Sequence, residues 1–139
     1  MKLYFTFKEF CIDPGTPLPI SVAQKLLDYH IIPMSKVREI FGKPIIVSDN
    51  SGYRSKLYEV NRGRSGKSQH TFYMNGAADY TCSGDITELL ELIIKHTNYH
   101  RICYYKKKNF LHCDYGVIDN DKRQYFEDDG DGWEFIKHV

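Results

Sequence analysis

The sequence predicts an α+β fold, with N-terminal helices packed on a mostly antiparallel sheet. Apolar residues before Gly42 recur at helical spacing, whereas those after Gly76 fall largely into short strand-like runs separated by polar turns. Helices come first and a sheet follows, which is the α+β order. The length of 139 residues suits one small domain, 1–139, large enough to bury a core without disulfide staples.

The elements follow in order. Asp13 to Pro19 is a Pro-rich lead-in. A helix begins near Ser21 with Val22, Leu26 and Leu27 on one face, and Pro33 is expected to end it. A second short helix carries Met34, Val37, Ile40 and Phe41, and Gly42 closes it because glycine accepts the left-handed conformation of a helix end. Lys43 to Val47 reads as a buried strand. Ser51-Gly52-Tyr53-Arg54 turns the chain into a short helix through Leu57 and Val60, and the polar stretch from Asn61 to Gln69 is loop.

Ala77 to Cys82 reads as a strand. Asp85-Ile86-Thr87-Glu88 has capping-box spacing, with Asp in place of Ser or Thr, and starts a helix through Leu89, Leu90, Leu92, Ile93 and Ile94. Arg101 to Tyr105 and Asn109 to Tyr115 form two strands joined by a turn at Lys106, Lys107 and Lys108. Arg123 to Phe126 and Trp133 to Ile136 add short strands.

A formal net charge of +1 gives no reason to expect a nucleic-acid partner. Cys11, Cys82, Cys103 and Cys113 form no CxxC pair, so they read as buried, reduced thiols rather than a thiol metal knuckle. Residues 1–8 contain no apolar signal core, and no run approaches the ~20 residues of a membrane span. The expectation is a monomer made in the cytoplasm, with outside help needed for any action beyond the membrane.

The residues that carry chemistry are His70, Asp79 and His112. Two imidazoles and one carboxylate suit a single zinc ion, and three protein ligands leave the fourth position open for water, as catalytic sites require. The small Ala77-Ala78 pair lets a strand deliver Asp79 without crowding the ion. On a strand His112 and Asp114 share a face. Asp114 then has two available roles: a base that takes a proton from water, or a partner that orients an imidazole. His30, His96, His100 and His138 lack such surroundings.

Ser51-Gly52-Tyr53-Arg54-Ser55, Ser68-Gln69-His70, Ala77-Ala78-Asp79, Tyr104-Tyr105 and Phe110-Leu111-His112-Cys113-Asp114-Tyr115-Gly116 occur in that order. Together with Phe5 to Phe10 and Phe41 to Val47, they resemble the D-alanyl-D-alanine carboxypeptidase-like murein peptidases, within their phage endolysin and murein endopeptidase K-like branch. The resemblance implies zinc-dependent hydrolysis of a peptide bond in peptidoglycan stem peptides, by a carboxypeptidase or endopeptidase, in a phage lysin or virion component. It implies His70, Asp79 and His112 as ligands and Arg54 near the substrate or the developing oxyanion. Ser68 and Gln69 are expected to touch substrate.

Two departures stand out. The family usually places its aspartate seven residues after the histidine, whereas nine separate His70 from Asp79, so Thr71 to Asn75 are expected to bulge outward. Many members keep an acid three residues before the last histidine, where this chain has Asn109. That change keeps a second reading open: a non-catalytic, zinc-containing module that binds cell wall or belongs to a virion. A third reading is an intracellular protein with another substrate on the same scaffold.

Overall fold

Alternation along the strands decides which side chains meet the helices and which face the other way. The computed structural model describes residues 1–11, 17–48 and 52–139; Asp13 to Thr16 of the lead-in and Ser51 of the turn lie outside the described residues. A 3-10 turn at Phe7–Phe10 precedes α1 (Ile20–Leu26), a π-helical turn (Leu27–Ile31) and α2 (Ile32–Phe41). Then come β1 (Ile45–Val47), α3 (Lys56–Asn61), a 3-10 turn at Gln69–Thr71, β2 (Ala77–Cys82) and α4 (Ile86–His96). The chain closes with β3 (Arg101–Tyr105), β4 (Phe110–Asp114), β5 (Gln124–Asp128) and β6 (Trp133–His138).

These strands form one six-stranded sheet in the order β1-β2-β4-β3-β5-β6. Every neighbouring pair is antiparallel except β3 with β5. Ala78, Tyr80 and Cys82 of β2, Leu111 and Cys113 of β4, Ile102 of β3 and Tyr125 of β5 join one hydrophobic core with Leu26, Met34 and Val37 and with Leu89 and Ile93 of α4. Their alternating neighbours, including Asp79, His112 and Arg101, project from the opposite face.

Pro33 does not end the first helix. It is the second residue of α2, which continues without a break from the π turn, and that turn absorbs the mismatch. The Ile32 N–H bonds the Leu27 carbonyl five residues back, which widens the helix ahead of the proline ring. Gly42 closes α2 as expected, at φ 74° with its N–H on the Arg38 carbonyl.

β1 is an edge strand covered on one side only, so Ile46 is exposed while Ile45 and Val47 are buried. In α3 the apolar Leu57 and Val60 face out and Glu59 faces in, 1% exposed, against Arg54 and Arg64. Asp85 caps α4 by accepting from the Thr87 N–H (2.9 Å). All four cysteines are free thiols, three of them buried.

Candidate metal centre and its cleft

β2 and β4 bring Asp79 and His112 directly opposite each other on the face away from the core. His70 arrives from the 3-10 turn, which holds its backbone at both ends. Ser68 Oγ accepts from the His70 N–H (3.2 Å), and the His70 carbonyl accepts from the Arg54 N–H (2.8 Å).

The His70 ring is held as firmly. Its Nδ1–H donates to the Gly52 carbonyl (2.9 Å), which fixes the tautomer and leaves Nε2 as the lone-pair nitrogen facing Asp79. Gly52 has to be glycine: a Cβ there would lie 2.1 Å from the Phe10 carbonyl oxygen. The glycine of the Ser-Gly-Tyr-Arg segment therefore lets the backbone press against Phe10 and present its carbonyl to His70.

His70 Nε2 lies 3.7 Å from Asp79 Oδ1, and His112 Nδ1 lies 2.8 Å from the same oxygen. One donor atom from each of the three residues falls within 4.8 Å of the others. Tetrahedral zinc with bonds of about 2.1 Å separates its ligand atoms by about 3.4 Å, so these residues fit such an ion. Burial pushes the His70 imidazole down to about 4, which keeps it neutral and able to ligate.

His112 is held between two carboxylates. Nδ1 faces Asp79 Oδ1, and Nε2 donates to Asp114 Oδ2, each at 2.8 Å. Burial opposes a charge on this ring, but the hydrogen bonds to Asp114 and Asp79 outweigh it and push it up to about 9. A cation at Asp79 would take the place of the Nδ1 proton.

Asp114 is 0% exposed and accepts four hydrogen bonds. Arg101 Nε and Nη2 donate to its two oxygens at 2.8 and 2.7 Å, His112 Nε2 donates at 2.8 Å, and the Gly116 N–H donates at 2.8 Å. Burial alone would raise its carboxyl, yet His112 and Arg101 hold it well below the usual carboxylate range.

A cleft of about 500 Å³ opens beside His112 and Asp114, lined also by Ser68, Gln69, Tyr73, Arg101 and Trp133. Of the residues expected from sequence, Ser68, Gln69, His112 and Asp114 share this wall. Gln69 Nε2 donates to the Tyr73 hydroxyl (2.7 Å), while its Oε1 is buried and finds no partner among the described residues. Arg54 is not among the described lining. Its guanidinium contacts buried Glu59 (3.3 Å), which also pairs with Arg64 (2.7 Å), and only 17% of the Arg54 side chain is exposed.

The two extra residues between His70 and Asp79 are absorbed by a tight reversal. Phe72 takes φ 60° and tucks its ring into the core, while Tyr73 stands out, 60% exposed. Gly76, at φ 88°, lies so close that a Cβ would meet the Phe72 ring at 2.3 Å. Asn109 sits in the β3–β4 turn at φ 54°, and its side-chain oxygen accepts from the Tyr104 hydroxyl (3.3 Å).

Sequence reasoning missed Arg101, Trp133 and Glu59. The Trp133 ring lies 5.3 Å from the His112 ring, and the Arg101 guanidinium lies 5.1 Å from the indole. Arg101 had a signal: a turn at Lys106–Lys108 that pairs Tyr105 with Phe110 also pairs Arg101 with Asp114.

The family description Peptidase M15 matches residues 6–114. The chain belongs to the M15 peptidases. The match takes in most of the motif residues read from sequence, from Thr6 of the Phe-rich opening to Asp114. No curated protein and no solved structure gives a significant match. Membership indicates a metallopeptidase, and the His70, Asp79 and His112 set is a candidate for its metal. Among the described residues no helix is long and apolar enough to cross a membrane.

Proposed function

We propose that this M15 peptidase hydrolyses a peptide bond in peptidoglycan stem peptides with one zinc ion held by His70, Asp79 and His112. The observation that carries this reading is the donor set itself: a neutral His70 nitrogen, the Asp79 carboxylate and His112 Nδ1 converge beside an open cleft. Bound there, zinc supplies Lewis-acid polarisation of the scissile carbonyl and makes a water more acidic.

The chain's own residues set the geometry. Gly52 fixes the His70 tautomer, and Asp114, held by Arg101, fixes that of His112. Ser68 and Gln69 line the cleft wall and are the side chains assigned to substrate contact. Arg54, whose guanidinium pairs with Glu59, is assigned to a substrate carboxylate or the developing oxyanion because a permanently charged planar fork suits both. Of the two roles available to Asp114, its four accepted hydrogen bonds favour orientation over proton transfer. The protein acts on the wall after release from the cell or as part of a virion.

The test is metal content. Purified protein should carry about one zinc per chain, and His112→Ala should lose it. Full retention by that variant would remove His112 from the site.

One observation favours a second reading, a zinc-containing module that binds wall without cutting it. Asp114 is the only carboxylate in the described lining of the cleft, and it is fully engaged. A zymogram on purified wall separates the two readings, because only the peptidase clears it, whereas a pull-down on insoluble wall is positive for both.

A further inference from the structure

The face that carries the metal donors continues past them. Register sets Asp79, His112, Cys103, Phe126 and Phe135 in one row across β2, β4, β3, β5 and β6. The adjacent row runs Asp114, Arg101, Gln124 and His138. The family match stops at residue 114, so β5 and β6 lie beyond it.

Aromatic rings connect the cleft to the sheet edge along this face. Trp133, in the cleft wall, lies 5.0 Å from Phe126; Phe126 lies 5.8 Å from Phe135, and Phe135 lies 5.1 Å from His138. Phe135 is 47% exposed. It forms the apolar side of a second cavity of about 370 Å³, whose other walls are Asp119, Asn120, Lys122, Gln124 and His138. This volume is within the range of small-ligand sites. The loop between β4 and β5 rims both spaces, giving Val117 to the cleft and Asp119 to the second cavity.

The chemistry of this cavity selects its occupant. One half-exposed aromatic ring is accompanied by two amides, a carboxylate, an ammonium and an imidazole. An apolar segment packed there would strip water from these groups and give them no partners. A polyanion would meet Asp119 as well as Lys122. A sugar ring satisfies both halves: its C–H face packs on the electron-rich face of phenylalanine, and its hydroxyl and acetamido groups exchange hydrogen bonds with amide and carboxylate side chains.

We infer that the Phe135 cavity, joined to the cleft through Trp133, is a saccharide subsite that holds an N-acetylhexosamine ring of the glycan strand while the attached peptide lies in the cleft. The inference rests on the peptidoglycan reading above for the identity of the sugar. The stem peptide is borne on the glycan, so a sugar subsite on the same sheet face anchors the strand beside the metal centre.

Trp133 is the only tryptophan and joins the cavity to the cleft through Phe126, so its fluorescence reports on ligand bound along this face. Titration of the zinc-loaded protein with N,N′,N″,N‴-tetraacetylchitotetraose should change that fluorescence saturably. Phe135→Ala should weaken binding about tenfold, the worth of one good aromatic contact, and Phe135→Tyr should restore it. A second arm compares hydrolysis of a disaccharide-linked stem peptide with the same peptide freed of sugar. The linked substrate should show the lower KM, and Phe135→Ala should narrow the gap. Oligosaccharide binding lost in Phe135→Ala, with neither peptide cleaved, would support the subsite and sink the peptidase reading. Cleavage of both peptides at equal KM with no oligosaccharide binding would overturn the subsite and leave the peptidase reading intact. Unchanged binding by Phe135→Ala would also overturn it.

Discussion

A carboxylate whose acceptor positions are all engaged is a poor proton acceptor and a good orienting group. Asp114 is in that state, with Arg101, His112 and the Gly116 N–H around it. Asp114→Asn keeps the shape but loses the charge that steadies His112. Zinc affinity should fall roughly 10- to 100-fold, and turnover should return when zinc is saturating. A loss of turnover of about 10²-fold or more that persists at saturating zinc would instead make Asp114 the base.

Arg54 carries a different expectation. Arg54→Ala should keep zinc and fold, because Arg64 still pairs with Glu59, and should lose turnover on stem peptide. Arg54→Lys should restore little, since an ammonium lacks the planar fork. Turnover equal to the unsubstituted protein in Arg54→Ala would reduce this residue to a structural partner of Glu59.

The π turn (Leu27–Ile31) and β2 meet around a buried polar chain whose proton positions follow from donor logic. His30 Nε2–H donates to the Asn75 carbonyl, so its Nδ1 accepts from the Tyr99 hydroxyl, which in turn accepts from Tyr80; these distances are 2.8, 2.8 and 2.7 Å. Burial holds His30 at about 4, against an ordinary value near 6.5. The folded value is depressed, so below pH 6.5 the unfolded chain takes up a proton that the folded chain refuses. The stability tied to neutral His30 is therefore intact above pH 6.5 and drains away as pH falls toward 4. Between pH 7 and pH 5 this amounts to about 2 kcal/mol. Urea unfolding at the two pH values should show that much less loss for His30→Gln than for the unsubstituted protein; parallel losses would contradict a buried neutral His30.

Several elements were legible because local chemistry decided them. Gly42 closes α2, Asp85 caps α4, and the lysine turn joins β3 to β4. Others were decided by partners that are distant in sequence. Pro33 looks like a helix end until a π turn accommodates it, and Lys43–Val47 looks buried throughout, whereas only Ile45 and Val47 of β1 face the core. The apolar Leu57 and Val60 suggest the buried side of α3, yet its buried residue is Glu59, because Arg54 and Arg64 supply the charge that lets a carboxylate face inward.

Across the whole molecule, the sheet divides the work. One face packs Tyr80, Leu111 and Ile102 against the helices, while the other presents the donors and the cleft. The candidate donor residues were readable in sequence because each lies in a short motif with its own physical reason. The hydrogen bonds that orient them were hidden, since Gly52 meets His70 and Arg101 meets Asp114 only through the fold. Trp133 was hidden further, because β5 joins β3 in parallel across a long connection and no local pattern fixes that pairing. The proposed activity is that of a zinc peptidase acting on wall peptide. Its most direct test is digestion of purified peptidoglycan by the zinc-loaded protein, with released fragments identified by mass and new amino groups counted. The account predicts cleavage within the stem peptide that stops on chelation, returns with zinc and is absent in His70→Ala. No new amino groups from zinc-replete protein, or equal release by His70→Ala, would contradict it.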